Sequence, residues 1–321
     1  MKIITYINSS KYLSDLLIQS NTDNWLKYKN KSIDLILDGG AFSGSYLLGG
    51  LLYLSTITNH IHISRISGTS VGSLFGLLYL SNLMTKYNHK FYNKFRKCFK
   101  KNGDLSVLKH CLNFVKQHIS NDFYIKCNNK LYVTYYDIIN RKQIIKSIYY
   151  SNDDLLKSIY NSCFIPMLID GKISSENKYI DGIVPYIFSE SHDTSVLFMD
   201  LHSNYLSKMI NIKNEKNNHF RILSGILETH HFFMYGSSNL CRNIYKHKYY
   251  YYLIFNIRYY LANKSVYLIS IIQSMYINSH LYHKQSSNKQ KLYYFIINYI
   301  FIHLKNIFPS IIKFIAHNYL V

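Results

Sequence analysis

Acid is scarce in this sequence. Asp and Glu number 17 against 37 Lys and Arg, a formal charge of +20, and no acidic residue follows Glu228. Residues 229–321 therefore carry cations without a single counter-charge of their own. Such a basic, aromatic-rich tail suits an anionic membrane or, as the weaker reading, nucleic acid. Cysteine is scarce too. Cys98, Cys111, Cys127, Cys163 and Cys241 are scattered, odd in number and form no C-x-x-C pair. That excludes a disulfide framework and a cysteine zinc site, and the expectation is a reduced, intracellular setting. No window supplies the roughly 18 uncharged apolar residues that a spanning helix needs. The short apolar run after Lys2 gives way to Asn8-Ser9-Ser10-Lys11, so no signal peptide is expected. The expected location is cytoplasmic or peripheral on a membrane. Three prolines, 33 tyrosines and a large excess of lysine over arginine follow A/T-rich codons. Part of the basicity is therefore compositional bias.

What is present is concentrated in Asp34–Gly76. Two glycine-rich turns lie there, each after an apolar, strand-like run and before a helix-like run. The first is Gly39-Gly40-Ala41-Phe42-Ser43-Gly44, after Ile33–Leu37 and before Ser45–Leu54. The second is Gly68-Thr69-Ser70-Val71-Gly72, a G-x-S-x-G pattern between the run from Ile61 and a helix-like run from Gly72. A serine hydroxyl is a weak nucleophile that must be exposed, oriented and deprotonated. A sharp strand-to-helix turn flanked by glycines does the first two jobs, so Ser70 is the candidate nucleophile and Gly68 and Gly72 form its elbow. The competing reading is a tight turn whose serine only caps a helix. At the first turn, backbone N–H groups at a helix start are unpaired and sit at the positive end of the dipole. They suit the oxyanion of a tetrahedral intermediate. Nucleotide binding is the rival, but the turn has no Gly-Lys-Ser/Thr ending and misses the G-x-G-x-x-G spacing.

Only 69 residues precede Ser70, too few for the strands that come before the serine of an ordinary α/β-hydrolase. The order of glycine loop, short βα unit and G-x-S-x-G, followed by Asp181-Gly182, instead resembles the patatin-like phospholipases. Their pattern is a D-G-G-G-x-R/K-G loop, a G-T-S-A-G elbow and a later D-G-G/A. Here Asp38–Gly44, Gly68–Gly72 and Asp181-Gly182 stand in those places. Gly49 falls where the family's first helix carries a glycine. Ser162-Cys163-Phe164-Ile165-Pro166 is similar to the proline-containing segment before the family's aspartate, and Leu131–Tyr136 with Gln143–Ser147 resembles its central hairpin. The likeness covers about residues 30–205.

It implies a three-layer α/β/α fold with a mostly parallel sheet and a Ser70–Asp181 dyad without histidine. It also implies an oxyanion hole from residues 39–44, with no cofactor and no metal. Asp181 would take the Ser70 proton, directly or through water, its pKa raised by apolar neighbours such as Tyr179, Ile180 and Ile183. Without the family order, Asp181 reads as an Asp-Gly turn residue. Three positions depart from the pattern. Ala41 replaces the third glycine and can still donate its N–H if its φ is negative. Ser43 stands where a basic residue is usual, which removes a charge near the oxyanion and implies weaker activity. Ile183 follows Gly182 in place of glycine or alanine and is read as a mild change outside the chemistry.

The rest of the chain divides into an N-terminal extension over 1–30, the acyl-hydrolase domain over 31–205, and a basic, mostly helical region over 206–321. Ser73–Leu83 reads as a helix, and Asn88–Lys101 as a basic, aromatic one. Asp104–Ile119 has a helical period with Asp104 at its start. Segments 131–136 and 143–149 read as paired strands turning near Asn140-Arg141. Asn152-Asp153-Asp154 opens a helix to about Ser162, and Val196–Met199 reads as a short strand. Lys213–Asn218 is expected as a surface loop. Tyr249–Leu261 and Val266–Ile277 are aromatic-aliphatic runs interrupted at Asn263-Lys264. Leu292–Leu320, with Pro309 as a kink, reads as an in-plane membrane helix or one packed on the core. His192, His202, His219, His230 and His231 follow the elbow and read as packing or solvated histidines. Glu228-x-His230-His231 lacks a helical metal spacing.

The expected function is hydrolysis of ester bonds in phospholipids or other acyl lipids at an anionic membrane surface. The alternative is a catalytically weak or inactive lipid-binding module on the same fold. No protein partner is indicated.

Overall fold

A computed structural model of the chain describes residues 32–189, 194–212, 215 and 217–281, with isolated positions outside these ranges. His192 and, almost entirely, the Leu292–Leu320 helix lie outside the described residues.

The organising element is a seven-stranded sheet. Strand β1 (Ser32–Leu37) pairs in parallel with β2 (His62–Thr69) on one side and β6 (Thr194–Met199) on the other. Next to β2 lies β3 (Leu131–Asp137), again parallel. Antiparallel strands finish the sheet: β4 (Lys142–Lys146) and β5 (Tyr179–Asp181) on β3, and β7 (Cys241–Arg242) on β6. The path is β4-β3-β2-β1-β6-β7, with β5 off β3. This is the mostly parallel α/β arrangement that the resemblance implies.

Alternation along the central strands sends side chains to opposite faces. Ile33, Leu35 and Leu37 of β1, with Leu197 and Met199 of β6, join one large core. Ile36, Val196 and Phe198 join a separate cluster on the reverse face. With apolar residues on both sides, the sheet must be covered on both. The large core is filled from α1 (Gly44–Thr56), α2 (Val71–Leu80), α3 (Met84–Asn102), α4 (Leu108–Lys116), α5 (Phe123–Cys127), α6 (Asn152–Ser162) and α8 (His219–Tyr235). The one-turn helix α7 (His202–Tyr205) follows β6. The reverse face receives the long helix α9 (Lys248–Leu281), whose Ala262 and Val266 pack on Tyr136, Ile138, Ile180 and Val184.

Several boundaries differ from the sequence reading, each for a local reason. The helix expected from Asp104 begins at Leu108, because Asp104 accepts the Ser106 N–H and hydroxyl in a turn. The two runs around Asn263-Lys264 form one continuous helix, since neither residue stops a helix whose buried stripe passes through Ala262 and Val266. Lys213–Asn218 is not simply a surface loop. Its last residue, Asn218, is buried and donates to Ser45 Oγ (3.0 Å) and Asn88 Oδ1 (2.6 Å). Buried Arg221 holds the same segment by pairing with Glu215 and donating to the carbonyls of Lys208 and Asn211. The chain beyond residue 205 also enters the same core and sheet, through α8 and β7. Among the described residues no helix is long and apolar enough to cross a membrane.

Candidate active site

The site forms at the carboxyl ends of the central parallel strands. Ser70 sits between β2 and α2 at φ 51 and ψ −131, a conformation that costs a non-glycine residue of order 1–3 kcal/mol. The turn survives because its neighbours fix it. The Ser70 N–H donates to Ser162 Oγ (2.9 Å) and its carbonyl accepts from Ser73 N–H (3.0 Å) and Ser73 Oγ (2.7 Å). At Gly72 a side chain cannot fit, since a Cβ there would lie 2.4 Å from the Leu37 carbonyl oxygen. The G-x-S-x-G spacing thus seats the start of α2 directly on the end of β1.

That contact brings the two turns together. A Cβ at Gly39 would be 3.1 Å from the Ser70 Cβ. Of the six residues expected at the oxyanion site, four have their N–H groups engaged. Gly39 donates to Asp38 Oδ1 (3.0 Å), Phe42 to the Met209 carbonyl (2.9 Å) and Ser43 to the Gly40 carbonyl (2.8 Å). Gly44 donates to the carbonyls of Ala41 and Phe42. Among the described residues no acceptor meets the N–H of Gly40 or Ala41, so these two are the candidate donors. Ala41 adopts φ 44 in place of a negative φ, yet among the described residues its N–H meets no acceptor. The Ser43 hydroxyl is turned inward to the Tyr205 carbonyl (3.3 Å) and contributes no charge.

Asp181 ends β5, and the stretch following α6 links it to the nucleophile. Ser162 Oγ holds the Ser70 amide, while the carbonyl of Phe164 accepts the Asp181 N–H (2.9 Å). The proline-containing segment noticed in the sequence is therefore a brace between nucleophile and base. Burial pushes the Asp181 carboxyl up to about 6, against the opposing pull of the Ser70 hydroxyl, the Ile183 N–H and His202. The Ile183 N–H donates to Asp181 Oδ1 (2.9 Å), whereas Oδ2 is shielded from solvent and, among the described residues, has no partner in hydrogen-bonding geometry. Ser70 is thus close enough to influence the carboxyl without closing a regular hydrogen bond to it. Ile183 is no mild departure. It is a β-branched residue at φ 54, a strained placement, and its amide is part of the base's setting.

Two further residues were not singled out in the sequence. His202 lies behind the first turn with Nδ1 2.7 Å from Asp38 Oδ2, and Arg258 of α9 donates to Asp38 Oδ1 (2.8 Å). His202 Nδ1 also lies 2.9 Å from the Arg258 guanidinium. Both contacts cannot be hydrogen bonds of one nitrogen, and the adjacent carboxylate assigns the proton to Nδ1. Asp200 pairs with Arg242 (3.3 Å) and approaches Arg258 (4.0 Å). Asp38, Asp200 and His202 are near enough together to suggest a metal triad, but the two guanidiniums already give these carboxylates their counter-charge. His219, His230 and His231 lie on α8, where the His230 ring meets the Tyr53 hydroxyl (2.9 Å).

Next to Ser70 opens a cavity of about 90 Å³, lined by Ala41, Phe42, Val71, Leu74, Phe75 and Tyr92 among others. Its walls are almost wholly apolar. Searches of protein families and of curated proteins return no match to this chain. The chemistry is accordingly argued from the arrangement itself: a strained serine, a carboxyl of raised pKa, two unengaged amides and an apolar cavity.

Proposed function

We propose that this protein is a serine acyl hydrolase of the patatin-like type, acting on phospholipids or other acyl lipids. The observation that carries the reading is the approach of Asp181, whose solvent-shielded Oδ2 has no partner in hydrogen-bonding geometry among the described residues, to Ser70, held in a strained elbow beside the apolar cavity. In this reading Asp181 takes the hydroxyl proton as Ser70 Oγ attacks the ester carbonyl. The amides of Gly40 and Ala41 receive the oxyanion, with the N-terminus of α2 adding its dipole. As the tetrahedral intermediate collapses, Asp181 gives the proton to the leaving alcohol oxygen. Water then attacks the acyl-serine with Asp181 again as base, and the proton returns to Ser70 Oγ as the fatty acid is released. The apolar cavity favours an alkyl chain over a polar acyl group. It has room for roughly six water-sized groups, so it encloses only part of a long chain. The exposed tyrosines and leucines of α9, among them Tyr249, Tyr250, Leu253 and Tyr260, suit a substrate presented at a lipid surface.

The test is the pH profile of fatty-acid release from a soluble short-chain ester. Asp181 must be ionised to act as base, so kcat/KM is expected on the alkaline side and lost as pH falls through about 6. Ser70→Ala should abolish the activity at every pH. An acid limb near pH 4, where an unperturbed carboxyl titrates, would count against Asp181. Hydrolysis surviving in Ser70→Ala would remove the serine from the mechanism.

A further inference from the structure

The glycine turn has an unusual problem. Asp38, the residue that opens it, is completely buried, and an uncompensated carboxylate there would repel the negative charge that forms on a bound oxyanion. Within the turn the carboxylate receives the Gly39 N–H (3.0 Å) but no counter-charge, because Ser43 is neutral and bonded to the Tyr205 carbonyl. The compensation comes from the far end of the chain. Arg258 NH2 donates to Asp38 Oδ1 at 2.8 Å and His202 Nδ1 lies 2.7 Å from Oδ2, while the Leu201 N–H donates to Oδ2 at 3.2 Å. Arg258 is largely buried, with 17% of its side chain exposed. It is also fixed in place. Its helix packs Ala262 and Val266 onto Ile180 and Val184, around the base, and Gln273 and Ser270 tie the helix to Ser174 and Arg141. One helix therefore touches both the segment carrying the candidate base and the residue that opens the oxyanion turn.

We propose that Arg258 is a positioning residue of the active site: its guanidinium neutralises buried Asp38 and holds the glycine turn with the Gly40 and Ala41 amides directed at the ester oxygen. Arg258 touches no substrate and acts through Asp38. This rests on the hydrolase reading above, and makes the C-terminal helix an integral part of that site. Burial alone would raise the Asp38 carboxyl; Arg258 and His202 outweigh it and hold the group well below the usual carboxylate range.

The experiment compares wild type, Arg258→Lys, Arg258→Ala and Arg258→Ala/Asp38→Asn on a soluble short-chain ester, with thermal melting to establish that each is folded. Arg258→Ala should lower kcat roughly 10- to 100-fold, less than the direct loss of an oxyanion donor, with KM within about threefold because substrate is not contacted. Arg258→Lys should retain more of kcat. Removing both charges should restore kcat towards wild type, because the offending carboxylate is gone. A double variant no faster than Arg258→Ala, or an effect confined to KM, would overturn the proposal. A ¹³C titration of the Asp38 carboxyl separates this inference from the hydrolase reading. In wild type it should remain ionised through the ordinary carboxylate range, and in Arg258→Ala it should titrate at least one pH unit higher. If wild type has no esterase activity, the hydrolase reading fails. An unchanged Asp38 titration in Arg258→Ala would then show separately that Arg258 does not govern this carboxyl.

Discussion

Asp181→Asn is expected to lower kcat by about 10³-fold while making the protein more stable at neutral pH. The loss follows from removing a positioned general base, an effect typically worth 10²–10⁴-fold. The gain follows from linkage. Burial raises the folded carboxyl from 3.8 to about 6, so between those values the folded state binds more protons than the unfolded state. Stability then falls as pH rises through that window, and above it the ionised carboxyl destabilises the fold by up to roughly 3 kcal/mol. Asparagine has no charge to desolvate and its carbonyl can still accept the Ile183 N–H. Melting curves of both proteins at pH 8 and pH 4 check this. The variant should melt higher at pH 8, and the difference should shrink towards pH 4. Equal stability at both pH values would show that Asp181 is not held in the environment described. Such opposition between stability and activity is expected where a site is built from a strained serine and a desolvated acid.

The second large effect lies away from the chemistry. Gly225→Ala is expected to destabilise the fold by at least 3 kcal/mol, with loss of activity in whatever fraction remains folded. Helices α1 and α8 cross at Gly49 and Gly225. A Cβ at Gly225 would lie 2.1 Å from the Tyr46 carbonyl oxygen, and one at Gly49 would lie 2.0 Å from that of Ile222. The obstacles are backbone atoms, so no rotamer change relieves them and the helices must separate. Overpacking a core ordinarily costs about 1–3 kcal/mol. A collision with a carbonyl inside an intact helix belongs at or beyond the top of that range. Helix α1 begins directly after the glycine turn, so separation also displaces the Gly40 and Ala41 amides. Chemical denaturation of Gly225→Ala measures the cost. A loss below about 1 kcal/mol would mean that the two helices do not cross so closely.

These effects also mark which parts of the structure were legible in the sequence. The two turns were, because each is a local device: a strand run, glycines forced by close backbone approach, then a helix. The β3–β4 hairpin and α6 were legible for the same reason, the latter opened by Ser151 Oγ accepting the Asp154 N–H. The grip of the later chain on the site was not. Arg258 lies far along the chain in a segment whose tyrosines and isoleucines read as an appendage, and no periodicity marks one arginine as facing Asp38. Gly225 likewise has meaning only opposite Gly49. His202 was noticed only among several histidines, since its role depends on Asp38 on a neighbouring strand end. Within the turn, sequence spacing located six candidate donors, but Phe42, Ser43 and Gly44 are taken up by ordinary turn and helix bonding and Gly39 by Asp38. Which amides remain open depends on tertiary partners such as the Met209 carbonyl.

The most direct measurement is active-site labelling of the folded wild-type protein with a fluorophosphonate, followed by mapping of the modified peptide by mass spectrometry. A serine with a paired base and an oxyanion hole attacks such a probe, whereas a helix-capping serine does not. The predicted result is a single covalent adduct on Ser70, absent in Ser70→Ala and formed far more slowly in Asp181→Asn. An unmodified Ser70 in a protein shown to be folded, or an adduct carried elsewhere, would contradict the account.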